Sequence, residues 1–332
     1  MTHAFLKPVQ NPDHYIFEEV GCYNCGANDY SFLLIGEDDL TGKEGNFQYV
    51  TCNKCGLAYH NPRIHIDQIK SFYDSEYIAH RKKTNWGILT PVYEWAMTKH
   101  DRDKEKLVSK YVTLNAKTEV LDVGCAVGTF LLFLKSKYQC KISGVDFKED
   151  LEYPGFDQIE FYPGLFYDQK IIENRYDLIT MWHFLEHDYD PNRSLQMARK
   201  VLKNNGRLII EVPRFDSFTS RIFGKKWPGV QAPQHTAMYS KKTLIQMVEK
   251  NGFRVTKFLP YGAFPPYFYI FTGTWFKLFG KGLNLNRAIL PYFLGQIILT
   301  PILIFQKYLN LSMQTVVCEK DNNQEHKFNN IL

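Results

Sequence analysis

The sequence predicts a doubly wound α/β domain with a seven-stranded, mostly parallel sheet, preceded by a small metal-binding ribbon. Three observations support this fold class. An apolar run ends in a glycine turn, continues into a helix and reaches an acid, Asp146, 22 residues past Gly124. Strand-like and helix-like segments then alternate along the chain. Two Cys-x-x-Cys pairs lie near the N-terminus.

The first element is a ribbon over residues 15–62, which we predict to bind Zn²⁺ through Cys22, Cys25, Cys52 and Cys55. Two such pairs, separated by a strand-like stretch, supply four thiolates to one tetrahedral ion. The alternatives are a pair of disulfides and four unrelated thiols. Because no signal peptide is recognisable at the N-terminus, we expect a reducing, cytoplasmic setting, which favours zinc. A closed four-cysteine site has no open coordination position, so the ion is expected to be structural.

A helical linker is predicted for residues 63–112, between the ribbon and the sheet. Asp67–Tyr77 and Val92–Tyr111 have the composition of helices, and the second mixes apolar positions with charges of alternating sign. The sheet domain is expected to follow over residues 113–262.

The sheet domain begins with a strand, a glycine turn and a helix predicted over Gly128–Tyr138. The turn has the spacing G-x-A-x-G, with Asp122 two residues ahead of Gly124, and not the G-x-G-x-x-G of nicotinamide enzymes. Glycine lets the backbone turn sharply and approach a ligand closely. Ala126 stands midway between Gly124 and Gly128, and this position tolerates a methyl group if its φ is negative. Asp146 ends the next strand, where a carboxylate accepts hydrogen bonds from ribose hydroxyls.

The remaining elements alternate in the order that a parallel sheet requires. Further strands are predicted at Gln158–Pro163, Tyr176–Trp182, Gly206–Pro213, Phe253–Leu259 and Thr315–Lys320. Helices are predicted at Pro191–Leu202 and Lys241–Lys250. The first has proline in its first turn, and Asn-Gly closes the second. The last strand, within residues 314–320, is expected to be antiparallel, and residues 321–332 are expected to form a frayed tail.

These motifs together resemble class I S-adenosylmethionine-dependent methyltransferases. The turn is similar to their first motif, D/E-x-G-x-G-x-G. Tyr176–His187 is similar to the Y/F-D-x-I-x-x-x-x-x-L-E-H block of small-molecule methyltransferases related to quinone-biosynthesis enzymes, and the P-Q-H-x-x-x-Y-S stretch Pro233–Ser240 also occurs in that group. The resemblance covers residues 113–262. It implies that the cofactor is S-adenosylmethionine, held by Asp122, Gly124, Ala126, Gly128, Asp146 and Trp182.

The resemblance also gives the linker helices a position. In such enzymes the helices ahead of the sheet lie over the cofactor pocket. It therefore implies that Tyr73 and Tyr77 face the cofactor or the acceptor, and tyrosines packed in the core are the alternative.

Two histidines are the candidate catalytic residues. His183 follows the strand that ends at the binding crevice, and its unperturbed pKa of about 6.5 suits a general base. The alternative is a strand-end histidine that contacts only the cofactor or solvent. His235 lies in the loop after Gly206–Pro213 and is the second candidate, as a base or as a hydrogen-bond partner of the acceptor. Some quinone O-methyltransferases bind a divalent cation through E-x-x-E-H, so a cation here would require His183 to replace the first Glu, beside Glu186 and His187.

A basic, aromatic segment follows the sixth strand. Residues 214–290 contain twelve Lys or Arg and two acids, a local charge of +10 in a chain of net charge +5. We predict that residues 263–313 form a helical insertion that caps the acceptor side. Within it, residues 288–305 carry no charge, but Pro291 and Pro301 argue against one transmembrane helix. Peripheral contact with the inner face of a membrane and a lid without lipid contact both remain open.

The predicted function is S-adenosylmethionine-dependent methylation of a small molecule. An envelope saccharide or a lipid-linked precursor suits the basic, aromatic insertion. The alternatives are an RNA methyltransferase and a non-catalytic module that binds S-adenosylmethionine. Nucleic acid is the less favoured partner because Trp182 is followed by H-F-L-E-H, and not by the N/D-P-P-Y/F of base-amino methyltransferases.

Overall fold

The computed structural model describes residues 11–322 apart from residues 13, 40, 74–89, 149, 150, 152 and 281–284. Five short strands lie in the N-terminal region: β1 (Phe17–Glu18), β2 (Tyr30–Gly36), β3 (Phe47–Cys52), β4 (Ala58–His60) and β5 (Arg63–Ile64). Strands β2, β3 and β4 are antiparallel neighbours, and β1 pairs with β5. Each Cys-x-x-Cys pair lies in a tight turn, because the carbonyl of Cys22 or Cys52 accepts the N–H of the glycine four residues later.

The linker contains shorter helices than the sequence predicts. The expected helix Asp67–Tyr77 is α1 (Ile66–Ile69) followed by a 3₁₀ turn, and it ends at Tyr73, whose φ of −114° and ψ of 44° are not helical. The rest of that prediction, including Tyr77, lies outside the described residues. Helix α2 (Thr90–Val108) replaces the expected Val92–Tyr111. It stops early because the N–H of Tyr111 bonds to the carbonyl three residues back, which tightens the last turn.

The sheet domain alternates strands and helices as predicted. Its elements are β6 (Glu119–Val123), α3 (Thr129–Tyr138), β7 (Lys141–Asp146), β8 (Glu160–Pro163), β9 (Tyr176–Trp182), α4 (Pro191–Val201), β10 (Leu202–Pro213), α5 (Phe218–Phe223), β11 (Ala237–Met238), α6 (Lys241–Lys250) and β12 (Phe253–Leu259). Two of these limits differ from the prediction by more than one residue. Strand β8 starts later because a 3₁₀ turn occupies Phe156–Gln158, and β10 starts four residues earlier, directly after α4.

The insertion is helical, as predicted. It contains α7 (Pro266–Phe279), α8 (Leu285–Leu303) and a 3₁₀ turn at Ile304–Lys307, and the chain then returns to the sheet as β13 (Met313–Lys320). Among the residues that the structure describes, no helix combines the length and the apolar character needed to cross a membrane.

The seven-stranded sheet confirms the predicted fold class. Its order is β12-β13-β10-β9-β6-β7-β8, with β13 antiparallel to both neighbours and the other pairings parallel. The chain order reverses beside β6, where β7 lies on one side and β9 on the other. A crevice therefore opens at the carboxyl ends of these strands, which is where ligands bind in such sheets.

The ribbon is joined to the sheet domain by a shared strand. Strand β11 pairs with β4, with Ala237 opposite Tyr59, so the ribbon sheet has four strands. The carbonyl of Thr236 accepts the N–H of His60 at 2.9 Å, and the Tyr49 hydroxyl donates to the carbonyl of His235 at 2.7 Å. The loop that carries His235 is thus held by the ribbon, a contact that the sequence does not indicate.

Candidate active site

One cavity of about 990 Å³ lies over the carboxyl ends of β6, β7 and β9. Asp122, Gly124 and Asp146 line one end, which we call the cofactor end. His235 and Trp227 line the other, which we call the acceptor end. His183 also lines the cavity, so all of these predicted site residues face one space.

The glycine turn at the cofactor end requires left-handed backbone. Gly124 and Gly128 have φ of 76° and 74°. A Cβ on Gly128 would lie 2.2 Å from the Ile159 side chain, and one on Gly124 would lie 2.9 Å from that of Phe184. Neither position accepts another residue without movement of those neighbouring side chains.

Ala126 differs from its prediction. Its φ is 46°, where the sequence interpretation requires a negative value. Left-handed backbone costs an alanine about 1–2 kcal/mol. The conformation is held because the Ala126 N–H donates to a carboxylate oxygen of Asp146 at 2.9 Å.

Asp146 combines a structural and a binding capacity. Its two oxygens accept the N–H groups of Ala126 and Lys148 at 2.9 and 3.0 Å. Burial raises the pKa of this carboxyl, while those backbone donors lower it. A carboxylate has about four lone-pair sites, so acceptor capacity remains for ribose hydroxyls. Asp122 is likewise buried and accepts the Thr180 hydroxyl at 2.6 Å, and burial raises its pKa to about 6.

Trp182 completes the cofactor end. Its ring packs edge-on against Phe130 at 5.6 Å, and its indole N–H is buried without a hydrogen-bond partner among the described residues. The Lys104 ammonium lies 5.4 Å from the centre of the same ring and lowers the pKa of Asp122. A buried donor, a cation and two carboxylates fit a ligand that has ribose hydroxyls, an amino group and a carboxylate. The sequence analysis did not identify Lys104, because nothing in α2 marks the side that faces the sheet.

His183 lies between two buried carboxylates. Its Nδ1 is 3.5 Å from Glu186 and its Nε2 is 3.4 Å from Glu211. Burial alone lowers the pKa of His183, but the two carboxylates outweigh burial and raise it to about 9. At neutral pH His183 therefore already carries two protons. This electrostatic setting does not support His183 as the general base, because the base must accept a proton.

Glu211 is a site residue that the sequence analysis missed. It is fully buried in β10 and accepts the N–H groups of Ala263 and Phe264 at 2.7 and 3.0 Å. Burial would raise its pKa, but His183 and these two donors lower it, so the carboxyl is ionised. The sequence did contain an indication of this residue. An acid in the middle of the apolar run Leu208–Val212 is expected to be buried and to need a partner.

His235 has the opposite electrostatics to His183. It is buried, and burial lowers its pKa below the ordinary value, so it is neutral at neutral pH. Its Nδ1 lies 2.8 Å from the carbonyl of Gly229. A carbonyl only accepts hydrogen bonds, so Nδ1 carries the proton and Nε2 carries the lone pair. This tautomer suits a proton acceptor.

A third group lies between these histidines. One carboxylate oxygen of Glu186 and one ring nitrogen each of His187 and His235 lie within 4.8 Å of one another, which is a donor set that suits a divalent cation. It contains His235 in place of His183, unlike the set that the H-x-x-E-H stretch suggests. Tyr73 lies close by, as the sequence analysis expects, and its hydroxyl is 2.8 Å from the His187 Nδ1.

The acceptor end has aromatic walls. The rings of Trp227 and Tyr269 are 6.0 Å apart, and those of Phe264 and Phe268 are 5.2 Å apart. Phe276 and Thr272 of α7 also line this end. The inner face of the insertion therefore forms one wall of the cavity.

The four ribbon cysteines form one cluster, as predicted. Their sulfur atoms lie within 4.8 Å of one another, and the closest pairs, Cys22 with Cys55 and Cys25 with Cys52, are 3.4 Å apart. These distances exceed the bond of about 2.05 Å in a disulfide. The cluster offers the donor set and the spacing of a tetrahedral zinc site.

Known proteins resemble the sheet domain. The family described as "Methyltransferase domain" matches residues 97–257. A ubiquinone biosynthesis O-methyltransferase of Coxiella burnetii is 28% identical over 163 residues, which cover 45% of this chain and 69% of that protein. The solved geranyl diphosphate C-methyltransferase from Streptomyces coelicolor aligns with a TM-score of 0.49 and 9% identity, over 73% of this chain and 89% of that one. A putative sarcosine dimethylglycine methyltransferase from Galdieria sulphuraria gives a TM-score of 0.47 and 16% identity, over 69% and 88%.

Proposed function

We propose that this chain methylates a small molecule at the acceptor end of its cavity. It is an S-adenosylmethionine-dependent methyltransferase, and its methyltransferase domain covers residues 97–257. The observation that carries the proposal is the continuity of that cavity. It is lined by Asp146 and Gly124 at one end and by His235 and Trp227 at the other. A cofactor and an acceptor bound there would share one enclosed space.

The cofactor end has the groups that S-adenosylmethionine needs. When bound, this cofactor supplies an electrophilic methyl group on a positively charged sulfur. Asp146 would hold the ribose hydroxyls, and the turn at Gly124 lines the cavity beside it. Lys104 and Asp122 place opposite charges beside Trp182, which suits the carboxylate and the amino group of the methionine part.

His235 is the proton acceptor in this proposal. Its Nε2 has the lone pair, its ring is held by the Gly229 carbonyl, and its lowered pKa keeps it neutral. A nucleophilic group of the acceptor would give its proton to Nε2 as it bonds to the methyl carbon. Removing such a base slows a reaction about 10²–10⁴-fold.

His183 is assigned a different role. As an imidazolium between Glu186 and Glu211, it directs one ring nitrogen at each carboxylate. It would offset part of their negative charge and hold the two side chains in position beside the cavity.

An envelope saccharide or a lipid-linked precursor is the acceptor class that we favour. Aromatic faces such as those of Trp227 and Tyr269 pack against the C–H faces of sugars and against apolar chains, and they bury large areas with little loss of rotamer freedom. The four-cysteine cluster is proposed to hold structural Zn²⁺. Its ion would stabilise the ribbon that supports the His235 loop.

The test uses S-adenosylmethionine with a labelled methyl group and the small-molecule and lipid fractions of cells as acceptors. Wild-type protein is expected to label a component, and His235→Gln to lose that labelling without losing cofactor affinity, measured by calorimetry. His65→Gln, a partly exposed histidine in the linker, is the matched control and should retain labelling. Labelling of RNA alone, or equal labelling by His235→Gln, would contradict the proposal.

A further inference from the structure

We propose that the outer side of the insertion is a docking surface for an anionic membrane. This outer insertion face consists of exposed apolar side chains on α5, α7, α8 and the chain that follows α8: Phe218, Ile222, Leu278, Phe279, Leu294, Ile297, Ile298, Phe305 and Tyr308. The inference goes beyond methyl transfer, because membrane docking can be measured with no acceptor present.

The exposure of these side chains is unusually high for their size. Ile297, Ile298 and Leu278 are 70%, 74% and 70% exposed, and Phe279 is 66% exposed. Leu294 and Ile298 are one turn apart on α8, and Phe305 lies in the 3₁₀ turn after it. Exposed apolar side chains concentrated in this way mark an interaction surface.

Two contacts join α5 to the other parts of this face. The N–H of Phe218 donates to the carbonyl of Asn310, which places α5 beside the chain that follows α8. The Lys277 ammonium donates to the carbonyl of Ile222 at 2.7 Å, which places the other end of α5 beside the end of α7. The exposed residues of α5 therefore lie next to those at the end of α7 and after α8.

Basic residues outnumber acids on the segments that carry this face, and the acid nearest to Phe218 in sequence, Asp216, is paired with Arg214. The sequence from Phe258 to Ser312 contains no Asp or Glu, and none occurs from Ser217 to Val248. Exposed basic residues border the apolar residues: Arg221, Lys225, Lys277 and Lys307. An apolar surface with a basic border matches an anionic lipid surface, in which lipid tails receive the apolar groups and headgroups receive the cations.

The same charges argue against a second copy of the chain as the occupant. A symmetric dimer through this face would bring basic borders together without acids to pair them, and like charges across an interface are unfavourable. The helices are also unsuited to full insertion, since no described helix is long and apolar enough to cross a membrane. Docking in the plane of the interface remains.

Helix α7 explains why docking would serve the site. Tyr269, Thr272 and Phe276 on its inner side are buried and line the cavity, while Leu278 and Phe279 point to the outside. Phe276 is only 3% exposed and is not part of the outer insertion face. A docked α7 would bring the acceptor end of the cavity next to the headgroups.

The experiment is co-sedimentation of the full chain with phosphatidylglycerol vesicles and with phosphatidylcholine vesicles. We expect binding to the first that weakens with salt and leaves a salt-resistant part, because the charges are screened and the apolar contacts are not. The double variant Ile297→Glu with Ile298→Glu should reduce partitioning at least tenfold. Ile172→Glu is the matched control, since Ile172 is 72% exposed on a different part of the chain, and it should bind normally.

The basic border has its own variants. Lys225→Gln and Lys307→Gln should each weaken binding about fivefold at low salt, whereas Lys110→Gln and Lys117→Gln, outside the face, should not. Retained S-adenosylmethionine affinity shows that each variant is folded. Equal binding to both vesicle types, equal effects of the isoleucine variants and their control, or a dimer that the isoleucine variants dissociate would each overturn the proposal. None of these outcomes bears on methyl transfer.

Discussion

The two ends of the cavity are built in different ways. Most of the cofactor end comes from one continuous stretch of chain, residues 119–146, and Lys104 and Trp182 are added from α2 and β9. The acceptor end is assembled from separate segments that carry Tyr73, His183, His235 and Tyr269. A ligand end that is local in sequence can be recognised from a motif. One that is assembled from distant segments depends on how the ribbon and the insertion pack.

His183 and His235 show how much a site residue depends on its surroundings in the folded chain. Glu211 on β10 and Glu186 on the same loop as His183 favour its charged form and raise its pKa to about 9. Burial lowers the pKa of His235, and the nearby Glu186 carboxylate does not outweigh it. Sequence spacing made both of them candidate bases, and only their surroundings distinguish them.

The largest effect is expected when the proposed zinc site of the ribbon is removed. Cys52→Ser should abolish binding of one Zn²⁺ per chain, and structural zinc contributes about 10–16 kcal/mol of apparent binding energy that serves as folding energy. Hydrogen exchange should then show loss of protection in β3, β4 and the His235 loop, while β6 and β7 remain protected. Cys140→Ser, a buried cysteine outside the cluster, is the control and should change neither. Equal loss of protection at both ends of the cavity would show that the stability of the cofactor end also depends on the ribbon.

The next effect concerns the carboxylate that joins His183 to the insertion. Glu211→Gln leaves the imidazolium with one carboxylate and weakens the bonds to Ala263 and Phe264, so unfolding free energy in urea should fall by about 3–5 kcal/mol. Glu319→Gln on the neighbouring strand is the control. Its carboxylate reaches solvent and pairs with Arg254 and Arg207, and it should cost about 0–1 kcal/mol. Similar losses in the two variants would contradict the buried role of Glu211.

A smaller effect is expected at the cofactor end, and on binding. Asp146→Ala removes the proposed ribose contacts, so calorimetry should show S-adenosylmethionine affinity reduced by about 1.5–3 kcal/mol. Asp157→Ala, an exposed acid in the same domain, should bind normally. Unchanged affinity in Asp146→Ala would contradict the role of this residue in cofactor binding. Tighter binding of NAD than of S-adenosylmethionine would contradict the cofactor assigned to this end of the cavity.

The smallest effect tests the strain in the turn. Ala126→Gly should raise unfolding free energy by up to about 1 kcal/mol, because glycine adopts the φ of 46° without the penalty of a Cβ. Ala198→Gly, inside helix α4, should change stability in the opposite direction by about 1 kcal/mol. Destabilisation by both substitutions would mean that the Ala126 methyl group makes a packing contact that outweighs its strain.

The sequence by itself determined the fold class, the order of the strands along the chain, the cofactor turn and the pairing of four cysteines into one cluster. These features depend on residues close in sequence, where strand and helix periodicity, glycine spacing and Cys-x-x-Cys spacing fix the local geometry. Tertiary structure alone decided the protonation of His183, the buried pairing of Glu211 and the support of the His235 loop by the ribbon. Each of these features depends on which side chains, distant in sequence, lie together in a low-dielectric space. Packing decides that, and the local pattern of residues does not reveal it.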